Sequence, residues 1–238
     1  MAGHSKWANI KHKKAKEDAA RGKAFTKLIK EITVCAKESG GDPAGNPRLR
    51  TLLDKAKHIN MPQDNIKRAI QKGTGELPGS HYEAIRYEGY GPAGIAVIVD
   101  VLTDNKNRAI AEVRHAFSRK GGNIAENGAV SWMFEKKGVV KAIGSKLTED
   151  ELLETLIDYD IDGIEKQEDL CIITCAVTAL EEVKKAVLQI GLTVDTAEIE
   201  WVAKNKTTIE ETEEEKVFEF LSALEDLDDV QNLYSNLG

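Results

Sequence analysis

The chain has 238 residues, 41% of them hydrophobic and 31% charged, enough for more than one core and ordinary for a soluble globular protein. The longest apolar run, Ile95 to Leu102 interrupted by Asp100, is too short to cross a bilayer, and the opening Met-Ala-Gly-His-Ser-Lys lacks the apolar core of a secretory signal. Three cysteines, an odd number, argue against a disulfide framework and for a reducing cytoplasm. The net charge of -7 hides a split: up to Gly75 there are 17 Lys and Arg against 7 Asp and Glu, and the remainder carries 16 against 33. A front of +10 on a body of -17 points to a segregated surface for a polyanion.

In chain order, residues 1–20 read as a basic arm with no apolar stripe to anchor it, expected to be mobile without a partner. Residues 21–76 read as a three-helix unit. Phe25, Leu28, Ile29, Ile32 and Ala36 form one helical stripe, and Lys16, Lys23, Lys27 and Lys30 fall on the opposite side; Val34 lands among them. This helix should end at Ser39-Gly40-Gly41. Asn46-Pro47 opens a second helix striped by Leu49, Leu52, Leu53 and Ala56. Asn60-Met61-Pro62 repeats the start signal for a third, with Ile66, Ala69 and Ile70, closed by Gly73-Thr74-Gly75.

After Leu77-Pro78-Gly79-Ser80 the period changes from helical to alternating. Tyr82–Tyr90 and Ile95–Leu102 read as strands, Asp104 or Asn105 can cap a helix to about Lys120, and Ala129–Glu135 reads as a third strand. Lys136-Lys137-Gly138 reads as a turn or boundary. Beyond it come a strand at Val139–Ile143, a Thr148-x-x-Glu151 helix start, and strands around Ile161–Lys166 and Leu170–Val177. A Thr178-x-x-Glu181 helix start and an extended Leu192–Val202 follow. That β-α-β-β-α-β order is the split βαβ, ferredoxin-like pattern. The acidic tail from Glu210 carries Val217, Phe218, Leu221, Leu224 and Leu227 at helical spacing, then a strand near Val230–Asn236. It supplies the helix and strand that the 80–135 unit lacks. The expected fold class is α+β multidomain: a helical domain at 21–76, a discontinuous α/β sandwich from 80–135 plus 205–238, and a ferredoxin-like domain inserted at 136–204.

Motifs for catalysis are weak. Gly89-Tyr90-Gly91-Pro92-Ala93-Gly94 matches G-x-G-x-x-G, but a strand rather than a helix follows and Pro92 removes a donor, so a hairpin turn is the better reading. Cys171 and Cys175 lie on one face of an apolar strand about 13 Å apart at ~3.3 Å per residue, too far for one tetrahedral zinc. They and Cys35 read as buried core residues. No Walker or G-x-S-x-G sequence is present, and neither a metal, a cofactor nor an enzymatic activity is expected. The candidate nucleic-acid contacts are Lys6, Trp7, Lys11, His12, Lys13, Lys14 and Lys16 in the arm, with Arg21, Lys23, Lys27 and Lys30 on the helix. The cations would neutralise phosphates; Trp7 can either stack on a base or dock on the helical unit. The acidic body offers surface for a protein partner, no membrane partner is expected, and the oligomeric state stays open.

The opening Ala2-Gly3-His4-Ser5-Lys6-Trp7-Ala8-Asn9-Ile10-Lys11-His12-Lys13-Lys14 carries a resemblance, together with Phe25-Thr26-Lys27-Leu28, Gly121-Gly122-Asn123 and Gly128-Ala129-Val130-Ser131-Trp132-Met133-Phe134. On these stretches the whole chain resembles the YebC family of probable transcriptional regulatory proteins, which includes the mitochondrial translational activator of cytochrome oxidase. The resemblance implies three domains with the third inserted in the second, a cytoplasmic location in bacteria and no enzymatic activity. It implies one of two functions: a DNA-binding transcriptional regulator, or a ribosome-associated translation factor that binds rRNA or tRNA and relieves stalled synthesis.

Overall fold

The computed structural model describes residues 18–79, 81–145 and 147–238, with backbone alone for 18–21; the basic arm lies outside the described residues. Three helices come first: α1 (Asp18–Ser39), α2 (Pro47–His58) and α3 (Gln63–Thr74). Their stripes meet in a core of Leu28, Ile32, Cys35, Leu49, Leu52, Ala56, Met61, Ile66 and Ala69. Gly40, at φ +86°, gives α1 the left-handed exit that its sequence predicts. Asn46 does more than cap α2. Its side-chain oxygen accepts from Leu49 N at 3.0 Å, and its amide donates to the carbonyls of Cys35 and Gly40 at 3.3 and 2.9 Å. One buried amide therefore joins the end of α1 to the start of α2. Asn60 and Gly73 take roles other than those expected. Asn60 sits at φ +56° and leaves α2 rather than capping α3, while Met61 fills the core. Gly73 lies where α1 and α3 cross, and a Cβ there would stand 2.4 Å from the Thr33 carbonyl oxygen.

The rest of the chain builds two four-stranded antiparallel sheets. The first has the order β3-β1-β2-β8, from β1 (Glu83–Tyr90), β2 (Ala96–Thr103), β3 (Asn123–Ala125) and β8 (Val230–Ser235). Its inner face packs on α4 (Lys106–Arg119) and α7 (Glu211–Glu225) through Val97, Val99, Val113, Phe117, Phe220 and Leu224. Phe117 and Phe220 meet edge to face at 5.2 Å. Gly89-Tyr90-Gly91-Pro92-Ala93-Gly94 is the β1–β2 hairpin, as its sequence context predicts. Its glycines serve packing: a Cβ on Gly89 would lie 2.5 Å from the Phe117 ring, and one on Gly91 2.5 Å from that of Phe220.

The second sheet has the order β5-β6-β4-β7, the ferredoxin-like arrangement, from β4 (Phe134–Ile143), β5 (Ile161–Gln167), β6 (Leu170–Cys175) and β7 (Thr193–Ala203). Helices α5 (Glu149–Thr155) and α6 (Leu180–Gln189) cover one face, over Val140, Cys171, Ile173 and Cys175. Burial pushes both of those thiols above their usual range. Phe134, Val130 and Trp201 join the second sheet's end to the outer face of the first, against Ala96, Ile98 and Tyr234.

Three further sequence expectations need correction. Ala129–Glu135 is not a strand of the first sheet. The buried Glu88 carboxylate accepts from the backbone N–H groups of Gly128, Val130 and Ser131 at 2.8–2.9 Å, so the chain here folds around a side chain, and extended pairing begins only at Phe134, in β4 against β7. Burial would raise the Glu88 carboxyl, but these three donors outweigh it and hold the group below its usual range. Lys136-Lys137-Gly138 is not a turn but lies inside β4. Gly138 is there because a Cβ would come within 2.8 Å of Cys175 Sγ. Thr178 does not cap a helix: the chain enters α6 through a 3₁₀ turn at Val177–Ala179, whereas the Thr148–Glu151 capping box forms in full.

Candidate nucleic-acid interface

Of the expected contacts, Lys6, Trp7, Lys11, His12, Lys13, Lys14 and Lys16 lie outside the described residues, and Arg21 is described by its backbone alone. The other three face the body. Lys23 Nζ is 3.2 Å from Asp226 Oδ1 and also reaches the Asp226 carbonyl. One turn on, Lys27 Nζ donates to the Glu225 carbonyl at 2.8 Å. A further turn on, Lys30 Nζ donates to the Asp228 carbonyl at 2.9 Å and pairs with Asp229 Oδ1 at 2.5 Å. The i, i+4, i+7 spacing that puts three ammonium groups on one side of α1 thus aims them at the last turn of α7 and the loop after it. Helix carbonyls unsatisfied at a C-terminus carry partial negative charge, so this end of α7 is a place for cations even without its aspartates.

Asp229 is the node of this seam. Besides Lys30 it accepts from Thr103 Oγ1 at 2.7 Å and Arg108 Nη2 at 2.8 Å, and its carbonyl accepts from Leu102 N at 2.8 Å. Burial would raise its carboxyl, yet the bonds from Lys30, Arg108 and Thr103 win and hold it below the usual range. Lys30 is only 8% exposed, so it cannot turn to a phosphate without taking one of its two cationic partners from the buried Asp229. A second contact ties the helices to the ferredoxin-like sheet: Lys55 of α2 pairs with Glu198 of β7. Glu31 of α1 lies beside that pair, and burial raises its carboxyl despite the Lys55 charge.

The basic residues left to solvent are elsewhere on the helical unit. On α3, Lys67, Arg68 and Lys72 are exposed and make no ion pair among the described residues. Arg48 pairs with Glu38 and Lys57 with Asp54, both at 2.9 Å. Helical periodicity could have flagged the α3 residues, since they share no side with the apolar stripe of Ile66, Ala69 and Ile70; only the docked structure shows that α1, and not α3, commits its lysines to the body. No helix among the described residues is long and apolar enough to cross a membrane.

Two family models match the chain, the TACO1/YebC protein N-terminal domain over residues 5–76 and the TACO1/YebC second and third domain over residues 82–237. A relative from Chlorobium phaeovibrioides, named "Probable transcriptional regulatory protein", is 49% identical over 238 residues, covering 100% of this chain and 95% of its own. Another of the same name from Nitrosococcus oceani is 50% identical over 237 residues, covering 99% and 95%. The crystal structure of a conserved hypothetical protein from Aquifex aeolicus superposes with a TM-score of 0.84 at 44% identity, covering 93% of this chain and 92% of that one. From its helical unit through both sheets, the chain belongs to the TACO1/YebC family.

Proposed function

We propose that the protein is a nucleic-acid-binding regulator of gene expression, a non-enzymatic DNA-binding transcriptional regulator that engages its target through the basic N-terminal arm. The observation that carries this reading is the charge segregation, +10 up to Gly75 against -17 beyond it. The name borne by the relatives, probable transcriptional regulatory protein, supports it. Lys6, Lys11, His12, Lys13, Lys14, Lys16 and Arg21 neutralise phosphates and release counterions, and Trp7 stacks on a base or pins the arm. Lys23, Lys27 and Lys30 hold the helical unit to the acidic body, which repels nucleic acid from its other sides.

The test is a salt series of binding to a labelled promoter fragment, with the whole chain and with residues 1–17 removed. The whole chain should bind with affinity that falls steeply as salt rises. Each phosphate that the shortened chain no longer neutralises should lower the slope of log K against log salt by roughly 0.9. Equal binding at low and high salt, or no change on removing the arm, overturns the reading. Co-sedimentation with ribosomes and no site preference on DNA would replace it with the translation-factor function.

A further inference from the structure

At the corner where α1 and α3 end lies a pocket of about 250 Å³ whose lining includes Thr33, Lys37, Lys72, Gly73 and His81. No aspartate or glutamate lines it among the described residues. Lys37 Nζ lies 2.7 Å from His81 Nδ1. An ammonium can only donate, so Nδ1 accepts and the ring proton sits on Nε2. This fixes Lys37 by a lone pair rather than a carboxylate and leaves its charge uncompensated. Lys72, on the other wall, makes no ion pair among the described residues, and Arg68 stands one helical turn before it, also unpaired there. Of the acids nearest in sequence, Glu38 pairs with Arg48, Glu83 pairs with Lys106, and Glu76 bonds to Thr74 and Gln71 and lines a different groove, between α2 and α3. Both lysines stand in the last turns of their helices, where the carbonyl ends favour cations. An anion would therefore be met by side chains, not by helix amides. Gly73 brings the two walls together, because any Cβ there would strike Thr33.

We propose that this corner is a phosphate-group site, with Lys37, Lys72 and the His81 Nε2–H as donors and Arg68 extending it along α3. It rests on the reading of the chain as a nucleic-acid binder only for the source of the phosphate, a polynucleotide backbone. The alternative source is free phosphate. Relative to the contacts expected from the sequence, the site moves the helical unit's phosphate contacts from the docked face of α1 to the open corner shared with α3.

The experiment uses the full chain, Lys37→Ala/Lys72→Ala, and a labelled 20-base-pair duplex or inorganic phosphate as probe. Binding is followed by anisotropy and by the His81 ring resonances in NMR. All three side chains are exposed, so the variant should melt as the parent does. For a backbone phosphate, the duplex shifts the His81 resonances. The variant then binds the duplex roughly tenfold more weakly and lowers the salt slope by about 1 to 2. For free phosphate, inorganic phosphate shifts His81 saturably in the parent and not in the variant, while duplex affinity is unchanged; this keeps the site and reassigns its source. His81 unmoved by either probe, with equal duplex binding by parent and variant, overturns the site. In that case an intact arm-dependent affinity leaves the regulator reading standing, whereas a parent that binds no duplex at low salt removes that reading and leaves the phosphate titration to judge the site.

Discussion

Helices α1 and α3 belong to one small unit and carry five and three cations, yet they use those cations oppositely. On α1, Lys23, Lys27 and Lys30 lie against the end of α7, with Lys30 buried on Asp229. On α3, Lys67, Arg68 and Lys72 face solvent with no ion pair among the described residues. A basic helix face is thus two different objects. One is an intramolecular seam, which contributes to stability and resists exchange. The other is an uncompensated surface, which contributes little to stability and is available to a polyanion.

The contrast can be broken most sharply at Lys30. Lys30→Met should destabilise the protein by about 3 kcal/mol in urea unfolding, because Asp229 stays buried with a partner missing. An unchanged midpoint would mean that Lys30 is not part of the seam. Gly73→Ala should follow, at about 2 kcal/mol, since its methyl would press on a backbone carbonyl that cannot swing away. Acid offers a milder probe. The folded Asp229 carboxyl lies below the unfolded value of about 3.8, so its contribution is complete above that value and is lost as pH falls through the lower folded one. The stability difference between wild type and Asp229→Asn, measured by urea unfolding, should accordingly shrink between neutral pH and about pH 3. A difference that grows on acidification would reverse the sign argued here. Smallest of all, Lys23→Ala should cost under about 0.5 kcal/mol, because its pair with Asp226 is half exposed and screened. Lys67→Ala should leave the melting midpoint unmoved while lowering the salt slope of nucleic-acid binding by up to about 1, which would set the open face of α3 apart from the seam of α1.

Similar motifs also met different fates. Thr148-x-x-Glu151 and Thr178-x-x-Glu181 are equivalent as sequence, but only the first closes a capping box. At the second, Val177–Ala179 already turns as a 3₁₀ segment, with Ala179 N bonded to the Ala176 carbonyl, so Thr178 is past the position where its hydroxyl could cap. Gly138 reads as a turn because glycine usually is one; here it clears space for Cys175 Sγ. Ala129–Glu135 has the composition of a strand, but Ala129–Met133 gave up that pairing around one carboxylate, Glu88, 40 residues from Gly128 in sequence, and only Phe134 and Glu135 pair, in β4.

By itself the sequence determined the stripes, the exit of α1 and the start of α2, the β-α-β-β-α-β order and the charge split, because periodicity, capping and composition act over a few neighbouring residues. It also pointed to the family through its opening motif. Tertiary structure alone decided which basic face is consumed, that Asp229 binds three donors from three segments, and that Lys37, Lys72 and His81 share one corner. Those outcomes depend on which surfaces dock. Docking is settled by packing and desolvation between segments as far apart as Lys30 and Asp229, and no local pattern records them.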